Sequence, residues 1–274
     1  MPELPEVETV RAGLEPELVG RALASVRLYR RDLRWPIPVA AVTALAGRRC
    51  LRVVRRAKYL QLWFSGTGTP VALVHLGMSG RLFLGDAHEP ARLHEHWRMH
   101  FRGRTLRFVD PRRFGMLDVV PSAALGRHAL LEALGPEPLE GAFDGAYVRE
   151  RTRGKKLAIK SWLMDSRQVA GVGNIYANEA LFRAAVRPAR RAGRLTAGEC
   201  ERLAAAVREV LGEAIAAGGT TIRDFIGASE GIGYFQQRLR VYGRGGEPCP
   251  RCATRVRAVI GEGRATYFCP GCQR

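Results

Sequence analysis

With 274 residues, 46% of them hydrophobic, the chain is long enough for one large domain or two ordinary ones with real cores, which argues against a disordered protein. Its formal net charge is +18 at a sequence pI near 10.7. This points to a polyanionic partner, nucleic acid first, because Lys and Arg bound to phosphates release condensed counterions. No apolar run approaches the ~18 residues of a membrane span, and Glu3, Glu6 and Glu8 stand where a signal peptide carries basic residues, so a cytosolic protein is expected.

In chain order, the opening segment reads as a helix. Val7, Val10, Leu14 and Leu18 recur at spacings of three and four, and Pro5 suits a first helical position. From Leu23 to Val120 short β-rich runs follow one another: 25–29, 51–55, 59–64, 71–76, 97–102, 105–109 and 116–120. Turn signals such as Ser65-Gly66-Thr67-Gly68 and Arg102-Gly103-Arg104 separate them, which predicts a two-layer β-sandwich or barrel. Leu134-Gly135-Pro136-Glu137-Pro138 reads as a linker, after which helical patterns take over. The clearest has Thr196 as N-cap and Glu199 completing a capping box. Leu203, Val207, Val210, Leu211 and Ile215 then share one face, and Gly218-Gly219 is the stop. The expected class is α+β and multidomain: 1–131, 132–139 as linker, 140–240 helical, and 241–274 as a short terminal unit.

That terminal unit is too small and glycine-rich for a core of its own and needs a staple. Cys249 and Cys252, then Cys269 and Cys272, form two CxxC pairs at the ligand spacing of one tetrahedral, structural Zn²⁺ site. Two disulfides are the rival reading, disfavoured in a cytosolic protein. Four thiolates leave no open coordination position, so this metal holds the fold and takes no part in chemistry. Between the pairs, residues 255–268 read as a β-hairpin with Arg264 near its tip, which by itself suggests a phosphate contact. Cys50 and Cys200 read as buried apolar residues. Of the 44 basic residues only Lys58, Lys155, Lys156 and Lys160 are lysine. They are either chance retentions or positions that need a compact cation with a titratable proton.

Several blocks carry a wider resemblance. The opening Met1-Pro2-Glu3-Leu4-Pro5-Glu6-Val7-Glu8-Thr9-Val10 resembles the start of the bacterial formamidopyrimidine-DNA glycosylases. Arg55-Arg56-Ala57-Lys58-Tyr59-Leu60, His75-Leu76-Gly77-Met78-Ser79-Gly80 and Asp110-Pro111-Arg112-Arg113-Phe114-Gly115 follow in that family's order. So do the Leu134–Leu139 block, Gly171-Val172-Gly173-Asn174-Ile175-Tyr176-Ala177 and the four-cysteine tail, so the resemblance spans the whole chain. It implies an N-terminal β-sandwich preceded by a helix, a C-terminal helix-two-turns-helix region and a four-cysteine zinc-finger hairpin.

It also implies a function: a monomeric enzyme that excises oxidised purines from double-stranded DNA and cuts the abasic strand by β,δ-elimination. The nucleophile would be the amine of Pro2 once Met1 is removed. A terminal amine, with a reference pKa near ~8, is partly unprotonated at neutral pH, and the positive end of the first helix disfavours its ammonium further. By the same resemblance Glu3 is the acid or base beside the sugar, Lys58 a proton donor or electrostatic partner, and Arg264 an aid to the second elimination. Met78, Arg112 and Phe114 match the residues that fill the hole left by an extruded nucleotide. His94, Lys155, Lys160, Asn174 and Arg264 match positions that grip phosphates. The glycine-rich segment Gly227–Gln236 resembles a loop that closes over the purine. Two other readings stay open: the sister group acting on oxidised pyrimidines, whose openings carry glycine where Leu4 stands here, and a non-catalytic zinc DNA-binding protein on the same scaffold.

Overall fold

A computed structural model of the chain describes residues 2–219, 238–261 and 263–274. The Gly227–Gln236 segment lies outside them. Contacts divide the chain into two compact units that meet in sequence at Glu132 and Ala133.

The first unit opens with α1 (Leu4–Leu18), whose buried face is Val7, Val10, Leu14 and Leu18, as the spacing predicts. Glu3 and Glu6 form a capping box, and the Glu6 carboxylate accepts the Glu3 N–H at 2.9 Å. Eight strands follow: β1 (Leu23–Leu28), β2 (Cys50–Arg56), β3 (Tyr59–Phe64), β4 (Pro70–His75), β5 (Arg81–Gly85), β6 (Glu95–Phe101), β7 (Arg104–Val109) and β8 (Met116–Pro121). They form two four-stranded antiparallel sheets, ordered β1-β6-β7-β5 and β2-β3-β4-β8. One apolar cluster joins Trp97, Phe108 and Leu82 of the first sheet to Leu62, Phe64 and Val74 of the second and to the buried face of α1. The expected sandwich is therefore a single core with α1 set against β2.

Two elements depart from the sequence reading. β5 was not anticipated: Leu82, Phe83 and Leu84 are all buried, so the strand shows no alternation to read. A five-residue helix, α2 (Val39–Thr43), buries only Val42 and is too short to display a period.

The second unit holds α3 (Gly145–Thr152), α4 (Ile159–Met164), α5 (Asn174–Arg183) and α6 (Ala197–Ala216), then the antiparallel hairpin β9 (Arg257–Gly261) and β10 (Arg264–Phe268). α6 carries the expected Thr196–Glu199 capping box, and Gly218 and Gly219, both at positive φ, end it. Its inner face ends in Ala214; Ile215 is only half-buried, a correction of one residue. The Leu134–Pro138 run has no regular structure and is tied into this unit. The Gly135 N–H reaches the Ser166 carbonyl at 2.9 Å, and the Pro136 carbonyl receives the Ala170 N–H at 3.0 Å. Among the described residues no helix is long and apolar enough to cross a membrane.

Candidate active site and metal centre

In the first unit, Pro2 is half-buried directly before Glu3, which is 1% exposed and caps α1. A carboxylate is tolerated there because it faces the unpaired N–H groups and positive dipole end of the helix. Lys58 occupies the second position of the two-residue Ala57-Lys58 turn that joins β2 to β3. Ala57 is left-handed, at φ 52°, a conformation held only where the surroundings fix it. Arg55 does the fixing: it donates to the Glu8 carboxylate of α1 at 2.9 Å and to the Ala57 carbonyl at 3.0 Å. The helix that follows Pro2 and the turn that carries Lys58 are thus bridged by one guanidinium, a role the sequence reading did not assign.

His75 is a second residue without an assigned role in that reading. It faces Tyr59 across the β3–β4 register, with ring centroids 4.8 Å apart, and its Nδ1 accepts the Gly77 N–H at 3.0 Å. Burial, with the charges of Lys58 and Arg34, pushes its pKa down to about 4, so the imidazole beside this turn is neutral at physiological pH.

Met78, Arg112 and Phe114 come together on two adjoining turns. Met78 is 41% exposed and Phe114 42%, so neither belongs to the core, and the Arg112 guanidinium lies 4.8 Å from the Phe114 ring centroid. The turns touch through backbone: a Cβ on Gly77, which has φ +65°, would lie 2.4 Å from the Phe114 carbonyl carbon. His94 is exposed, also left-handed at φ 63°, and its carbonyl accepts the Asp110 N–H at 3.0 Å.

Strands β6 and β7 also carry a buried ion network. Arg107, fully buried, donates to Glu95 at 2.6 and 3.1 Å, with Arg98 and Glu89 adjoining. Burial pushes the Glu95 carboxyl upward. Hydrogen bonds from Arg107, Arg98 and the Arg92 N–H together outweigh it and hold the group at about 2.

In the second unit, Lys155 is exposed on the loop after α3, and Arg264 is exposed at the first residue of β10, opposite Gly261 at the hairpin tip. Lys160 differs from the surface cation that a phosphate contact suggests. It is 6% exposed, and its Nζ donates to the Ala265 carbonyl at 2.9 Å and to Thr266 Oγ1 at 2.6 Å. Asn174, first residue of α5, donates to the same Ala265 carbonyl at 3.0 Å. Lys160 and Arg264 nevertheless line one pocket of about 340 Å³, with Ser161, Asp165 and Thr266.

The C-terminal segment is stitched to α5 and the loop after it by residues that sequence reading missed. The Asn178 Oδ1 receives the Tyr267 N–H at 2.8 Å, and the buried Glu179 carboxylate receives the N–H groups of Arg240, Val241 and Tyr242 at 2.8–2.9 Å. Gln273 accepts from Cys269 N–H and donates to the Val186 carbonyl.

Beyond that stitching, Cys249, Cys252, Cys269 and Cys272 gather with all four sulfurs within 4.8 Å of one another. None is in a disulfide. Hydrogen bonds with Thr254 hold the Cys252 thiol down at about 6, whereas burial pushes Cys272 up to about 12 and Cys269 upward too. Sulfurs this close resist ionising together, and a cation bound among them removes that resistance. The four sulfurs could thus hold a metal ion with thiolate ligands.

The profile of the Formamidopyrimidine-DNA glycosylase N-terminal domain matches residues 1–117, and that of the Formamidopyrimidine-DNA glycosylase H2TH domain matches residues 134–226. A Formamidopyrimidine-DNA glycosylase of Stenotrophomonas maltophilia is 51% identical over 276 residues, covering both chains completely. Among solved structures, a Lactococcus lactis FPG variant in complex with a Fapy-dG containing DNA superimposes with a TM-score of 0.92 at 33% identity, over all of both chains. A MutM protein in complex with carbocyclic 8-oxo-G containing DNA gives 0.91 at 34% identity, again over all of both chains.

Proposed function

The chain belongs to the formamidopyrimidine-DNA glycosylase family, and from that premise we propose that it excises oxidised purines from duplex DNA with the Pro2 nitrogen as nucleophile. The carrying observation is the placement of Pro2, half-buried at the mouth of α1 and followed at once by the buried Glu3 carboxylate.

With Met1 removed, the Pro2 lone pair bonds C1′ of the sugar as the bond from C1′ to the base breaks, and the base departs with the bonding pair and a proton. Opening of the C1′–O4′ bond, with a proton delivered to O4′, leaves an iminium that water hydrolyses after the eliminations to free Pro2. The iminium's positive charge acidifies the C2′ proton, whose loss expels the 3′ phosphate; a second elimination expels the 5′ phosphate. Glu3 is the acid or base beside the sugar, and Lys58 supplies a proton or positive charge from its turn. Met78, Arg112 and Phe114 take the space of the extruded nucleotide, with Arg112 donating to the orphaned cytosine. His94, Lys155, Asn174 and Arg264 grip the backbone, and Lys160 adds its charge at the base of the pocket beside Arg264, which also aids the second elimination.

The metal of the cysteine cluster is one Zn²⁺. Sulfurs ~3.8 Å apart fit a tetrahedral ion with ~2.3 Å bonds, and the pairs Cys249–Cys272 at 3.8 Å and Cys252–Cys269 at 3.4 Å are close to that spacing. With four thiolates the ion is structural: it fixes the hairpin that carries Arg264. The working division is 1–131 for the nucleophile and wedge turns, 132–139 as connector, 140–240 for the helical DNA-binding part and 241–274 for the finger. The protein acts as a cytoplasmic monomer on the nucleoid.

Borohydride trapping on abasic duplex DNA tests the mechanism. The wild-type chain forms a covalent adduct and Pro2→Gly does not; an adduct that persists in Pro2→Gly moves the nucleophile elsewhere. Faster release of thymine glycol than of 8-oxoguanine opposite cytosine would assign the enzyme to oxidised pyrimidines instead.

A further inference from the structure

We propose that Asp110 is a positioning residue for lesion extrusion, its carboxylate locking the Met78 turn and the Arg112–Phe114 turn into one rigid wedge. The proposal rests on the reading that these two turns enter the duplex.

Asp110 follows the last residue of β7 and is fully buried. Its carboxylate takes donors from both turns. Oδ1 accepts the Ser79 hydroxyl at 2.6 Å and the Arg112 N–H at 3.2 Å, and Oδ2 accepts the Gly115 N–H at 2.7 Å. Ser79 Oγ in turn accepts the Arg112 N–H at 3.3 Å, so one hydroxyl belongs to both turns.

The backbone of Asp110 is held as firmly. Its N–H reaches the His94 carbonyl at 3.0 Å, and its carbonyl oxygen lies 2.7 Å from His96 Nε2 and accepts the Arg113 N–H at 3.2 Å. A carboxylate anchored on the strand side and shared on the turn side transmits the rigidity of the sheet to both turns.

The turns need this support. Gly77 and Arg113 are both left-handed, at φ 65° and 56°, and Arg113 has no glycine's freedom to be so. The side chains to be aimed, Met78, Arg112 and Phe114, lie exposed. A buried carboxyl group with both oxygens engaged is costly to keep for packing alone, since an apolar residue of the same shape would pack without desolvating polar atoms.

In Asp110→Asn one carboxylate oxygen becomes an NH₂ that faces a donor, so one turn loses its partner while side-chain volume is kept. The full-length variant is compared with wild type in three measurements: single-turnover release of 8-oxoguanine opposite cytosine, the same opposite adenine, and borohydride trapping on a preformed abasic site, which needs no base extruded. Misplacing the wedge is expected to slow release opposite cytosine about tenfold or more and to shrink the preference for cytosine over adenine, with trapping within about twofold. Ser79→Ala removes one donor and leaves the carboxylate in place, giving a smaller loss in the same direction if Asp110→Asn folds poorly.

In a Phe114→Ala background the Asp110→Asn loss should largely vanish, because the two act through one element. Equal losses in release and trapping, together with a lower melting temperature, would make Asp110 merely structural and overturn the proposal. So would unchanged release in Asp110→Asn when Phe114→Ala is slow. If Phe114→Ala and Arg112→Ala both release the base at the wild-type rate, the wedge reading itself falls and takes the proposal with it.

Discussion

Removing the Glu179 side chain should weaken the attachment of the finger to α5 without touching a single cysteine. Glu179 is 4% exposed, and its two oxygens receive three consecutive backbone N–H groups: Arg240 on Oε2 at 2.9 Å, Val241 and Tyr242 on Oε1 at 2.9 and 2.8 Å. These residues lead into Cys249, so the anchor holds the chain just before the metal site. Glu179→Ala leaves all three N–H groups without a partner, at about 1–3 kcal/mol each. Water entering the gap keeps the total near the lower end, about 3 kcal/mol. In Glu179→Gln the amide oxygen can serve Val241 and Tyr242 while its NH₂ faces the Arg240 N–H; one orphan donor and the lost charge cost about 1–2 kcal/mol. The assay is urea-driven zinc release into a chromogenic chelator. With a slope of about 1–3 kcal/mol per molar, the midpoint should fall by about 1 M or more in the alanine variant and by less in glutamine. DNA affinity should follow the same order. Zinc release from Glu179→Ala within ~0.5 kcal/mol of wild type would refute the claim that these three bonds contribute to the attachment.

Three further outcomes are expected. Gly77→Ala places a Cβ 2.4 Å from the Phe114 carbonyl carbon at a φ of +65°, so thermal unfolding should show a loss of about 2 kcal/mol with weakened lesion excision; a neutral substitution would mean the turns move apart freely. Glu95 titrates at about 2 in the fold, below its ordinary 4.5, so it adds stability above about 4.5 that is lost as the pH falls through about 2. Urea titrations at stepped pH should therefore show Glu95→Gln less stable at neutrality but with a shallower decline over that acid window, and parallel curves would contradict the ion network. Chelation of the metal should lower DNA affinity and change the circular dichroism spectrum together, since metal binding and local folding share one free energy; complete metal loss with both unchanged would show that the finger stands without it.

What could be read in the sequence was local. The buried face of α1, the Thr196–Glu199 box and the hairpin between the cysteine pairs each follow from spacings within a few residues, which is the range over which helix and strand periods act. β5 was hidden because burial on both faces erases alternation. Within the site, the four cysteines alone were legible from spacing; Pro2, Glu3, Lys58 and the wedge residues came through family resemblance. The supports stayed invisible because each is a long-range bond from a side chain to distant backbone or to another side chain. Ser79 and Asp110 are 31 residues apart, Arg55 and Glu8 are 47, and Glu179 and Val241 are 62. Such bonds satisfy buried donors one at a time and impose no period on the residues between.

The four lysines show how a compositional oddity divides once surroundings are known. Lys160 is held in a buried site where its ammonium donates to a carbonyl and a hydroxyl at short range. A guanidinium there would bring a wider plane and five donors into the same space, leaving some unpaired in a low-dielectric setting. Lys58 stands half-buried on a tight turn beside a neutral imidazole, where a group that can give up its proton differs in kind from one that cannot. Lys155 and Lys156 are exposed, and nothing in the structure explains why either is not arginine. The shape of a buried site thus accounts for lysine at Lys160, whereas at Lys58 a titratable proton is what the proposed elimination requires.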